Sequence, residues 1–161
     1  MGASYGPGLN QHGLLEGSLD DQIEALVAFA WRAQALRLVE VIGGRVLELT
    51  QYDEVVTQRW LTGDEASGPL AAMRLGGSAP YSMFDRLDGF DLLLSDFCNV
   101  GEVNTPGLSL HKRHVSSYSS FARALRRATE AAEPEFLKEL EQMQTDLEVC
   151  RQLDLTWVVG V

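Results

Sequence analysis

Apolar residues along this chain recur mostly three and four positions apart, the spacing that gathers side chains on one side of an α-helix. Ile23, Leu26, Val27, Ala30, Trp31, Ala35 and Leu38 keep that period until Gly43-Gly44 stops it. Ser18, followed three residues later by Asp21, has the form of a capping box. Asp20, Asp21 and Glu24 stand where the positive end of a helix dipole favours acids. Tyr52, Val55, Val56 and Trp60 continue the helical period up to Gly63. Further helices are predicted over 64–75 and over 82–97, the second carrying Phe84, Leu87, Leu92, Leu94 and Phe97. Phe136, Leu140, Met143, Leu147 and Cys150 form one more stripe behind Pro134, a residue suited to a first helical turn.

Two stretches depart from this period. Residues 45–50, "RVLELT", are rich enough in Val and Leu for a short strand and equally able to lead into a helix. The tail "LDLTWVVGV" alternates Leu153, Leu155, Trp157, Val159 and Val161, which predicts a strand or an extended peptide seated in a groove. The pattern as a whole predicts a mainly α fold. It is a single-domain bundle of five or six helices over residues 18–161, with at most a two-stranded β element made from residues 45–50 and 153–161. Residues 1–17, with five glycines and one proline, predict a flexible arm ahead of that domain.

At 161 residues and 45% hydrophobic content the chain is long enough for one core. Thirteen basic residues face twenty-three acidic ones, for a formal charge of -10. A field of that sign repels nucleic acid and anionic membranes and suits a protein partner of basic character. No apolar run is long enough for a membrane span and no signal peptide is recognisable, so a soluble, cytoplasmic protein is expected. Cys98 and Cys150 have neither CxxC nor zinc-ligand spacing and read as reduced thiols.

Against this acidic background stands "SLHKRHVSSYSSFARALRRA", residues 109–128, with Lys112, Arg113, Arg123, Arg126 and Arg127. Wound as a helix over 111–128 at about 100° per residue, it places His111, His114, Val115, Tyr118, Phe121, Ala122 and Leu125 on one face. Lys112, Arg123 and Arg127 fall on the other, flanked by Arg113 and Arg126. A cationic face can solvate itself, meet acids of neighbouring helices, or bind an acidic partner through bidentate arginine contacts. The candidate partner-binding residues are therefore Lys112, Arg113, Arg123 and Arg127, with Trp157 of the apolar tail as a hydrophobic anchor. Trp31 and Trp60 fall on apolar stripes and are expected in the core.

Candidate chemistry is sparse. His111 and His114 are weak metal candidates: two histidines make half a site, with Asp96, Cys98 or Glu102 left to complete it, and neither HExxH nor Glu-x-x-His is present. "GASYG" at residues 2–6 matches G-x-S-x-G, but no strand can precede it as a nucleophile elbow requires. "GGSAP" and "GEVNTPG" lack a Walker lysine. No catalytic residue is assigned and no cofactor is expected. The expected function is a non-enzymatic, cytosolic protein–protein interaction factor of accessory, assembly, chaperone-like or inhibitory kind. It would bind another protein or self-associate through its C-terminal tail. One alternative is a helical-bundle metal or cofactor-binding enzyme using His111 and His114. The other is a reader of phosphate or nucleic acid through the basic helix 111–128.

Overall fold

The computed structural model describes residues 2–80, 113–116, 118–130 and 134–160; the helix predicted over 82–97 lies outside the described residues. The mainly α expectation is overturned: among the described residues seven strands accompany four helices. The order is β1 (Gly2–Pro7), α1 (Leu19–Ala33), β2 (Arg37–Ile42), β3 (Arg45–Tyr52), β4 (Val55–Leu61), α2 (Asp64–Ala72) and β5 (Gly77–Pro80). After these come β6 (Arg113–Ser116), α3 (Tyr118–Glu130), α4 (Pro134–Gln152) and β7 (Trp157–Gly160). The strands form two antiparallel sheets, β5-β1-β7-β6 and the meander β2-β3-β4.

The first helix starts where its cap predicts. Ser18 Oγ accepts from the Asp21 amide at 3.2 Å while Asp21 Oδ2 accepts from the Ser18 amide at 3.1 Å. Ser18→Ala leaves that amide unpaired and is expected to lower stability by about 1 kcal/mol, read as a lower urea midpoint at unchanged slope. The helix ends earlier than its period suggests, because Gln34 takes the left-handed conformation at φ 51°. Leu38, predicted as its last turn, instead belongs to β2. That strand is buried on both faces, with Leu38 and Ile42 on one and Val39 on the other. A strand covered on both sides loses the alternation that would reveal it, and its apolar run mimics a helix.

Residues 52–63 are likewise not helical. β3 and β4 pair from Val46↔Leu61 to Tyr52↔Val55 around a two-residue turn, Asp53-Glu54, both at positive φ. Such a turn usually announces itself with Asn or Gly, as Gly43-Gly44 does between β2 and β3; here acids occupy it and the signal is lost. Residues 45–50 and the tail are both in strands but never pair with each other. β3 lies between β2 and β4, and β7 lies between β1 and β6.

Residues 2–17 are no arm. β1 is an inner strand, pairing Tyr5↔Gly77 on one side and Pro7↔Trp157 on the other. The loop after it buries Leu9, Leu14 and Leu15. Residues 153–156 join the sheets, since Val39 donates to the Asp154 carbonyl at 2.9 Å and Gly8 to the Thr156 carbonyl at 3.0 Å. Arg37 reaches Asp154 at 2.8 Å and Glu48 at 2.7 Å beside the same junction.

Two cores lie on opposite faces. Leu26, Phe29 and Ala30 of α1 cover Leu38, Leu47, Leu49 and Val158. On the other side Leu125 of α3 and Leu140, Met143, Leu147 and Cys150 of α4 pack with Val39, Val46 and Trp157. Trp157 is fully buried and its ring lies 6.1 Å from that of Tyr5 at 28°. The tail therefore docks within its own chain, and Trp157 offers no surface to a partner. Trp31, expected in the core, is 39% exposed.

Candidate functional site

The basic segment splits where a single helix was expected. Residues 113–116 form β6, with Arg113 opposite Gly160 and His114 opposite Val159, and α3 begins only at Tyr118. The tail requires a second strand neighbour, and residues 113–116 supply it. The helical spacing that would bring His111 and His114 together therefore does not exist at His114. His111 and Lys112, like Asp96, Cys98 and Glu102, lie outside the described residues. Among the described residues no three His, Cys, Asp or Glu side chains gather to hold a metal ion.

From residue 122 onward the helical division of α3 holds. Leu125 points into the core at 1% exposure, with Ala122 and Ala128 half-buried beside it. The helix is fastened to α4 by Gln144, whose amide donates to the Leu125 carbonyl at 3.4 Å and to the Thr129 hydroxyl. Thr129 in turn donates to the Leu125 carbonyl at 2.7 Å. Arg123, Arg126 and Arg127 are exposed on the opposite side, at the i, i+3, i+4 spacing that makes neighbours on a helix surface. Among the described residues none of the three has an acidic partner. Arg37, Arg59 and Arg151, in contrast, are paired with Glu48 and Asp154, with Glu48 and Glu65, and with Glu148. Three adjacent guanidinium groups held on a docked helix can receive carboxylates in bidentate geometry.

Two further polar places were invisible to periodicity. Glu40, on β2, is fully buried. Its Oε1 accepts from the Asn10 amide at 3.1 Å and its Oε2 from the Thr156 hydroxyl at 3.3 Å. Burial pushes this carboxyl up to about 7, against the opposing pull of the Asn10 and Leu9 amides and of Thr156. An acid flanked by Val39 and Val41 in "RLVEVI" was the available signal, since a charged residue inside a two-sided apolar strand has to find a buried partner.

The second place lies near α4. Tyr5 donates to Glu139 at 3.3 Å, and burial first, then the Glu139 charge, raises its phenol to about 12. Asp146 accepts from the Gly76 amide at 3.2 Å and from the Gln142 side chain at 2.9 Å. Burial and the neighbouring Asp146 raise the Cys150 thiol to about 12 as well, which leaves it inert as a nucleophile.

A cleft of about 350 Å³ opens between the start of α1 and the β2–β3 turn, where the Arg45 guanidinium lies 3.9 Å over the Trp60 ring. Among the described residues no carboxylate, histidine, cysteine or lysine lines it. No protein-family model matches the chain, and no curated protein or solved structure matches it either.

Proposed function

We propose that this chain is a cytosolic, non-catalytic interaction domain that docks an acidic segment of a partner protein on the outer face of α3. The carrying observation is the row Arg123, Arg126 and Arg127, exposed and without ion pairs among the described residues, in a chain that has twenty-three acids to offer. Fixing α3 through Leu125 and Gln144 holds the row in place before a partner arrives, which lowers the ordering cost of binding. The surrounding acidic surface then rejects anionic partners that approach elsewhere and narrows the landing site to this row. The buried free thiol of Cys150 supports the cytosolic reading. No helix among the described residues is long and apolar enough to cross a membrane.

The test is fluorescence anisotropy with a labelled Asp/Glu-rich peptide, repeated at rising salt. Binding is expected to weaken with ionic strength. The triple variant Arg123→Glu, Arg126→Glu, Arg127→Glu is expected to lose at least about tenfold in affinity, roughly what one or two desolvated ion pairs supply. Equal binding by the triple variant would refute the site. Tighter binding to a single-stranded oligonucleotide than to the peptide would transfer the face to nucleic-acid recognition.

A further inference from the structure

We infer that β4 is a self-association edge, through which two copies of this chain join their three-stranded sheets into one continuous antiparallel sheet. The two outer strands of that sheet are treated differently. On β2, the Val39 amide is taken by the Asp154 carbonyl and Val39 bridges to Leu155, so the edge is closed from within the chain. On β4 the two-residue turn at Asp53-Glu54 makes Tyr52↔Val55 a hydrogen-bonded pair. Alternation then makes Thr50↔Thr57, Glu48↔Arg59 and Val46↔Leu61 hydrogen-bonded pairs too. The amides and carbonyls of Val56, Gln58 and Trp60 consequently point away from β3. Among the described residues no backbone bond reaches them.

Exposed edges are normally blunted by proline, lysine, a bulge or an extremely short strand. β4, "VVTQRWL", has seven residues, no proline, no glycine and no lysine, and its register with β3 is unbroken. What fits this edge is another copy of itself. An antiparallel pairing centred on Gln58 sets Gln58 against Gln58, and Val56 against Trp60 in both directions. All three outward-facing residues of each copy thereby exchange backbone bonds. Val56 and Trp60, each half-buried on the α1 side, would complete one another's cover. On the other face Val55, 58% exposed, meets Leu61. Arg59 is the strand's single charge; it falls opposite Thr57 and is already neutralised in its own copy by Glu48 and Glu65. No like charges oppose each other across the axis, whereas the net -10 of each copy resists approach at longer range. The dimer is therefore expected to tighten as salt rises, opposite to the acidic-peptide binding on α3.

Light scattering after size exclusion, at micromolar concentration and at low and high salt, tests this. The wild-type chain is expected to be a dimer, more so at high salt. Gln58→Pro removes only an amide that faces solvent in the monomer, a position where an edge strand tolerates proline, and is expected to be monomeric with an unchanged circular dichroism spectrum. Gln58→Lys at the same exposed position places two cations opposite each other at the axis; at least about tenfold weaker dimerisation is expected, and this variant decides the question if the proline variant does not fold. A wild-type chain that stays monomeric at high salt overturns the proposal, as does a dimer that survives both substitutions.

Discussion

Gly76→Ala is expected to remove a large share of the stability of the folded state at ambient temperature. Gly76 stands at φ +92°, and an added Cβ would lie 2.3 Å from the Tyr5 carbonyl oxygen and 2.7 Å from the Gly6 Cα. Both obstacles are backbone atoms of an inner strand, fixed by ladders to β5 and β7, so no side-chain rotation relieves the clash. The Gly76 amide also donates to the buried Asp146 carboxylate at 3.2 Å; displacing it strands a buried acceptor. Conformational strain, overlap and the lost bond together reach about 4 kcal/mol or more, against a typical total stability of about 5–15 kcal/mol. Gly43→Ala is the control: φ is +58°, yet nothing lies within 4 Å of the added carbon, and a loss of about 1–2 kcal/mol is expected. Urea titration followed by circular dichroism separates the two. Equal midpoints for both variants would contradict the packing of β1 against the turn before β5.

The second large effect is a pH dependence carried by Glu40. Its carboxyl is raised from the ordinary 4.5 to about 7 by burial. Between those values the folded chain keeps a proton that the unfolded chain has released, so the slope of stability with pH is negative there. The contribution is full below pH 4.5 and lost as pH rises through 7. Over that window it amounts to roughly 3 kcal/mol. Glu40→Gln keeps the shape, with its carbonyl oxygen able to accept from the Asn10 amide and its NH₂ able to donate to the Thr156 hydroxyl, and carries no charge. The variant is expected to be more stable than the parent at pH 8, similar to it at pH 5, and to show a flatter profile between. Urea midpoints collected across that range test this, and a parent whose stability rises from pH 5 to 8 by as much as the variant's would show that Glu40 does not titrate there.

How much of this was legible in the sequence depended on whether an element shows water one face. α4 does: its stripe Leu140, Met143, Leu147 and Cys150 is buried, and Pro134 opens it as its fixed φ allows. The capping box at Ser18 is equally local and equally readable. β2 has apolar neighbours on both faces, so it displays no polar side that would betray the strand period, whereas the alternation of the tail made β7 readable. The hairpin at Asp53-Glu54 forms without the residues that normally mark it. The N-terminal glycines suggest flexibility by composition alone, whereas at Gly76 and around Gly6 small size serves close approach between backbones. The exposed placement of Arg123 and Arg127 was readable because an amphipathic helix sorts charge from apolar surface locally. The burial of Glu40 and of Trp157, the latter expected as a partner anchor, was not, because their surroundings are assembled from residues distant in sequence.

The position of β1 between β5 and β7 also governs the order in which the fold can be assembled. β1 is synthesised before the other described strands, and one of its two ladders is supplied by residues 157–160. Until those arrive, a Gly-rich segment that contributes Tyr5 and leads into Leu9 has no completed sheet to join. The free-energy cost of closing so long a loop falls due before any of the contacts it permits. The α1–β2–β3–β4 unit, whose two ladders join strands adjacent in sequence, can form during that interval and present the face against which β7 closes.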